Sequence, residues 1–129
     1  MRPTDEGARL RRVLPIALLF GFAGVMHFVA PAFFLQIMPP WVPNPGAAVA
    51  LSGVAEIAGA VGLLLRATRV AAGWGLIVLL LAVFPANIHM LVQARATDAS
   101  ALWQALCWLR LPLQPLMMWW VWRVAVRSR

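Results

Sequence analysis

Four apolar runs, each close to the roughly 20 residues that a bilayer requires of a helix, leave this chain few ways to fold. They cover about residues 13–32, 47–65, 70–92 and 101–124. Backbone groups find no water inside a bilayer, so runs of this length and uniformity must become helices. The connectors are short, and each is punctuated. Residues 39–46 carry Pro39, Pro40, Pro43 and Pro45, which bar a helix and preset an extended path. Residues 66–69 form a basic turn, and residues 94–100 offer Asp98 and Ser100 as caps for the fourth helix. Links this short force consecutive helices to run antiparallel. The expected fold is all-α: an integral membrane four-helix bundle, up-down-up-down, over residues 13–124, between basic tails at 1–12 and 125–129.

Composition narrows the chemistry. Of 129 residues, 63% are hydrophobic and 12% charged, against about 25% charged in soluble domains. The net charge of +7 comes entirely from arginines, most of which flank the apolar runs. They form no basic stripe interleaved with solvent-facing aromatics, which argues against nucleic acid as a partner. Cys107 is the lone cysteine, so an intrachain disulfide or a two-cysteine redox pair is excluded. The start of the chain is basic and then apolar, like a signal peptide. Its apolar stretch is too long for one and lacks a clean cleavage site, so it reads as a retained first span.

The arginines also set direction. With the N-terminus inside, the cytoplasmic side holds Arg2, Arg9, Arg11, Arg12, Arg66, Arg69, Arg123, Arg127 and Arg129, and the outer side only Arg95. This bias places both termini in the cytoplasm of a multi-pass inner (plasma) membrane protein. Trp41 and Trp103 then fall at the outer boundary, and Trp74, Trp119, Trp120 and Trp122 near the inner one. Residues 32–38 follow Pro31 and read as a bend with a short piece along the outer interface.

Two charges break the apolar pattern. Glu56 sits inside residues 47–65 and Arg110 inside residues 101–121. A central charge costs about 2.5–3.5 kcal/mol on insertion scales unless something answers it. At ~1.5 Å per residue the two lie level to within a turn, with His27 and Asn87 somewhat nearer the outer side and Gln114 deeper. Helical spacing groups Ser52, Glu56 and Gly59 on one stripe, with Gly53 and Ala60 beside it. Small residues there mark a face turned to protein. Gly24, His27 and Pro31 share a second stripe. Trp103, Cys107, Arg110, Gln114 and Met117 share a third, and Leu80, Phe84, Asn87 and Leu91 a fourth. His89 points about 200° from Asn87, hence outward, which also argues against a bis-histidine haem pair. Pro85, Pro112 and Pro115 leave the carbonyls of Leu81, Trp108 and Leu111 without their helical donors, and Arg110 is the expected supplier. His27, Ser52, Glu56, Asn87, Arg110 and Gln114 therefore form a candidate ligand-binding or buried polar centre, with Glu56 and Arg110 expected within direct or one-water reach. A structural ion pair, a working site and unpaired charges all fit these residues. No catalytic residue and no metal ligand set stands out.

Four stretches in order resemble the DoxX-like family of small four-span membrane proteins. They are Gly24-Val25-Met26-His27-Phe28-Val29-Ala30-Pro31 with Pro39-Pro40, then Ser52-Gly53-Val54-Ala55-Glu56-Ile57-Ala58-Gly59 with Leu63-Leu64-Leu65 and Arg69, then Val83-Phe84-Pro85-Ala86-Asn87-Ile88, and Arg110-Leu111-Pro112-Leu113-Gln114. The resemblance implies an inner-membrane bundle associated with quinol-oxidase or detoxifying partners. The expected function is a non-catalytic subunit or accessory of a membrane redox or detoxification system, contacting lipids, a redox protein or further copies of itself. The alternatives are a quinone- or small-apolar-ligand-binding oxidoreductase component and a small oligomeric proton-coupled transporter.

The topology is open to a direct test. In a Cys107→Ala background, Asn44→Cys should react with an impermeant thiol reagent from outside the cell; labelling only from the cytoplasmic side would reverse the assignment.

Overall fold

The computed structural model describes residues 3–127, and all regular structure among them is helical. Five helices occur in order: α1 Pro3–Val29, α2 Pro31–Gln36, α3 Pro45–Leu64, α4 Arg69–Ala96 and α5 Ala101–Val121, which widens into a π-helical segment, Trp122–Arg127. Residues 3–12, expected as a tail, form the first turns of α1. The remaining tail residues 1, 2, 128 and 129 lie outside the described residues.

Local chemistry sets the boundaries. Pro31 disfavours a helical conformation in the residue before it, and Ala30 leaves the helix at φ −128°, ψ 58°. The chain bends there, as the sequence indicated, and Pro31 opens α2. Asn44 accepts a hydrogen bond from the Ala47 amide at 3.2 Å and Pro45 takes the first helical position, which together start α3. Ser100 caps α5 by accepting from the Trp103 amide at 3.2 Å. Asp98 does not share that task. It adopts a left-handed conformation, φ 52°, in the turn ahead of it.

The C-terminus of α3 carries a more elaborate cap. The Thr68 hydroxyl donates to the Gly62 carbonyl at 2.9 Å, and Arg69 Nε donates to the Leu63 carbonyl at 2.8 Å. The Arg69 guanidinium also donates to Glu6 Oε1 and Oε2, at 2.7 and 3.3 Å. One buried arginine thus satisfies helix-end carbonyls that would otherwise be orphaned and ties the start of α1 to the α3–α4 turn.

Helix α1 packs on α3, α3 on α4, and α4 on α5, while the π-helical segment returns against α4 and α1. Closest approach is between α1 and α3. A Cβ on Gly24 would stand 2.7 Å from Ile57 Cγ1 and 2.9 Å from the Gly53 carbonyl oxygen. A Cβ on Gly53 would stand 2.7 Å from Phe28 and 2.8 Å from His27 Cβ. Neither leaves room for a side chain, so these two glycines allow the backbones to meet. Ile16, Phe20, Leu63, Leu76, Leu80 and Val121 fill the main core, and Ile37, Met90, Leu91, Ala94 and Cys107 a second one near α2.

The outward faces are apolar. Leu18, Phe22, Leu51, Val78, Leu81 and Leu102 are all more than 60% exposed. Three helices, Asp5–Val29, Pro45–Leu64 and Arg69–Ala96, are long and apolar enough to cross a membrane. Helix α5 is as long as α3 but is diluted by Gln104, Arg110, Pro112, Gln114 and Pro115. By composition the structure therefore offers three such helices where the sequence reading expected four.

The glycine contact makes opposite predictions at two positions. Gly24→Ala should destabilise by about 1–3 kcal/mol, because a neighbouring backbone carbonyl cannot give way. Gly7→Ala, with nothing within 4 Å of the new methyl, should stabilise by about 0.4–1 kcal/mol. Circular-dichroism unfolding in detergent reads both.

Candidate ligand site

Four helices deliver polar side chains to one region. Helix α1 contributes His27, α3 Ser52 and Glu56, α4 Asn87, and α5 Arg110 and Gln114. The α1–α3 approach at Gly24 and Gly53 sets the first part of this geometry, since it brings His27 Nδ1 to 3.4 Å from Glu56 Oε2. The same nitrogen lies 2.8 Å from the Ala23 carbonyl, one turn back on α1. A single Nδ1–H donating to Ala23 leaves the carboxylate without a donor. Glu56 Oε2 is buried and has no hydrogen-bond partner, an arrangement that costs about 1–3 kcal/mol and more for a charged group.

The direct Glu56–Arg110 contact is not formed. Among the described residues Glu56 pairs only with His27, and Arg110 makes no ion pair within 4.0 Å. Close packing of α1 on α3 sets His27 beside the carboxylate, while Arg110 lies exposed at the edge of the same cavities.

On the α4–α5 side two buried amides bond to each other and to the backbone. Asn87 Nδ2 donates to Gln114 Oε1, and Gln114 Nε2 donates to the Leu80 carbonyl at 2.6 Å. Arg110 was expected to supply donors where Pro85 disrupts α4. Arg110 donates no hydrogen bond to the Leu81 carbonyl; the side chain that reaches the α4 backbone is Gln114, which is buried where Arg110 is exposed and which bonds the neighbouring Leu80 carbonyl.

Two adjoining cavities occupy this region. One, of about 80 Å3, is lined by His27, Phe34, Ser52, Glu56, Asn87 and Arg110 among others. The second, of about 250 Å3, lies deeper in the apolar part of the helices and includes Phe20, Leu80, Gln114 and Met117. Glu56, Val83, Asn87 and Arg110 line both. Each is smaller than the roughly 300–1,000 Å3 usual for pockets that enclose a drug-sized ligand. His89 is half-buried and lines neither cavity.

One contributor was not singled out from the sequence. The Phe34 ring stacks on the His27 imidazole, centroids 3.8 Å apart and planes 16° from parallel. Seven residues of unbroken helix would separate the two by about 10 Å along the axis. Only the break at Ala30 folds α2 back far enough. Phe33 then meets Trp103 edge-on at 6.1 Å, which ties α2 to the first turn of α5. Pro31 was the available signal.

A profile of the family described as Domain of unknown function (DUF8561) matches residues 16–125. The chain belongs to this family. The matched region contains the whole polar centre, whereas Glu6 lies ahead of it. No curated protein and no solved structure matches.

The bonded wall should respond as a unit. Gln114→Leu leaves the buried Asn87 amide without its partner and should cost about 1–3 kcal/mol. Adding Asn87→Leu should cost less than the sum of the single changes. Additive losses in detergent unfolding would show that the two amides act separately.

Proposed function

We propose that this protein is a membrane-embedded, non-catalytic component of a redox or detoxification system, and that its polar centre receives the head group of a small apolar ligand of the quinone–quinol class. The observation that carries this reading is a buried Glu56 oxygen without a donor, on a residue that lines a cavity. An orphaned acceptor calls for a hydroxyl or N–H, and a quinol ring supplies hydroxyls on an otherwise apolar body. Arg110 at the cavity's edge can donate to the ring's other oxygen. The apolar cavity towards Phe20, Leu80 and Met117 suits the remainder of such a molecule. The DoxX-like stretches support a quinone-linked setting for the same residues.

In this reading four helices cross the inner membrane in alternating directions, with both termini in the cytoplasm. Support for α5 as the fourth comes from its apolar outer face, where Leu102, Leu106, Leu109, Leu113 and Leu116 are exposed. Support for the direction comes from the arginines. Arg69 is bonded to Glu6 near the start of α1, and Arg12 shares a cleft with Arg123 and Arg127, so most of the basic charge gathers at one end.

Equilibrium dialysis of the purified full-length protein with a short-chain quinone in each redox state tests the assignment. The reduced form should bind roughly tenfold or more tightly than the oxidised form, the value of a hydrogen bond to a charged group. Glu56→Gln should abolish the preference. Equal, weak binding of both forms, with a protein co-purifying in native lipid, would favour a purely accessory subunit.

A further inference from the structure

A second concentration of charge lies apart from the polar centre and shares no lining residue with it. Arg12 on α1 and Arg123 and Arg127 on the π-helical segment line a cleft of about 490 Å3 together with Val124. Guanidinium groups from two separate parts of the chain converge there, and among the described residues none of the three makes an ion pair within 4.0 Å. Glu6, an acid near the start of the same helix as Arg12, is held by Arg69 instead. Like charges gathered this way repel unless an anion answers them.

The arginines are also arranged to bind. Arg123 lies 5.4 Å over the ring of Trp119, and Arg127 lies 5.5 Å over that of Trp122. A guanidinium held over an indole face is attracted to the ring and keeps its fork of N–H groups free to donate. That fork matches the spacing of phosphate oxygens and accepts them two at a time. Trp119, which lies under Arg123, is itself half exposed, so apolar surface adjoins the cleft. A molecule with a phosphate at one end and acyl chains at the other fits both surfaces together, which a soluble anion does not.

We propose that Arg12, Arg123 and Arg127 form a binding site for a phosphate-bearing anion, the headgroup of an anionic phospholipid. The site is separate from the polar centre and shares no residue with it.

Native mass spectrometry of the full-length protein, released from nanodiscs of phosphatidylcholine containing a minor fraction of phosphatidylglycerol, counts the lipids retained. Phosphatidylglycerol should be enriched over phosphatidylcholine on the wild-type protein. Arg12→Gln and the double change Arg123→Gln/Arg127→Gln should each lower that enrichment, by roughly fivefold per arginine removed. Because the two variants alter different helices, failure of one to fold leaves the other as the test. Arg66→Gln removes one charge from the exposed α3–α4 turn and should leave the enrichment unchanged. An equal loss in Arg66→Gln would mean diffuse surface attraction and overturn the site. Titration with inorganic phosphate separates the two sources of the same chemistry. If phosphate binds with this arginine dependence and phosphatidylglycerol is not enriched, the lipid assignment is overturned.

Discussion

The near-contact of α1 and α3 at Gly24 and Gly53 governs the geometry of the polar centre beside it. Two helices whose backbones approach this closely leave no slack in the side chains next to the crossing. His27 is one residue in contact with that crossing, and Glu56 is three residues along α3 from Gly53. Their proximity is therefore a by-product of backbone packing rather than of mutual attraction. The imidazole spends its Nδ1–H on the helix behind it, and the carboxylate is carried into a buried position without receiving a bond. Packing energy holds an unfavourable polar arrangement in place, and such arrangements gather at functional sites.

The opposite wall obeys a different constraint. Asn87, Gln114 and the Leu80 carbonyl form a chain of hydrogen bonds between α4 and α5. A buried amide with its partners present fixes register and resists rearrangement. The polar centre is thus asymmetric, cross-linked by amide hydrogen bonds between α4 and α5 and short of a donor between α1 and α3. At the far end of the helices, Arg69 plays a comparable fixing part by closing the end of α3.

The helices, and the gathering of His27, Ser52, Glu56, Asn87 and Arg110 around one cavity, were legible in the sequence for one reason. In a uniformly apolar run, each polar residue and each small residue has few harmless positions, and a 3.6-residue period assigns it to a face. Glu56, Asn87 and Gln114 could be placed on inward stripes on that basis, and the rise per residue gave the order of their depths. Choosing among partners at the same depth was not legible. Whether Glu56 meets Arg110 or His27 depends on interhelical distances smaller than one side chain, and the glycine crossing decides it. Phe34 was hidden for a related reason. Its position depends on the angle at Ala30, which Pro31 makes a bend but does not aim. The Glu6–Arg69 link joins residues 63 positions apart, and nothing in the local pattern of either residue points to the other.

Helix α2 has a bearing on how quickly the interior could exchange its contents. It is six residues long, contains no buried residue, and is joined to α1 through a broken turn. Phe34 nevertheless covers the His27 ring. A segment with so little buried surface opens at a free energy well below that of global unfolding. Passage past Phe34 would then be a local event, with the long helices undisturbed and the hydrogen bonds between Asn87, Gln114 and Leu80 intact. Exposure of the His27 ring would then depend on the stability of one short helix rather than on the packing of the long ones.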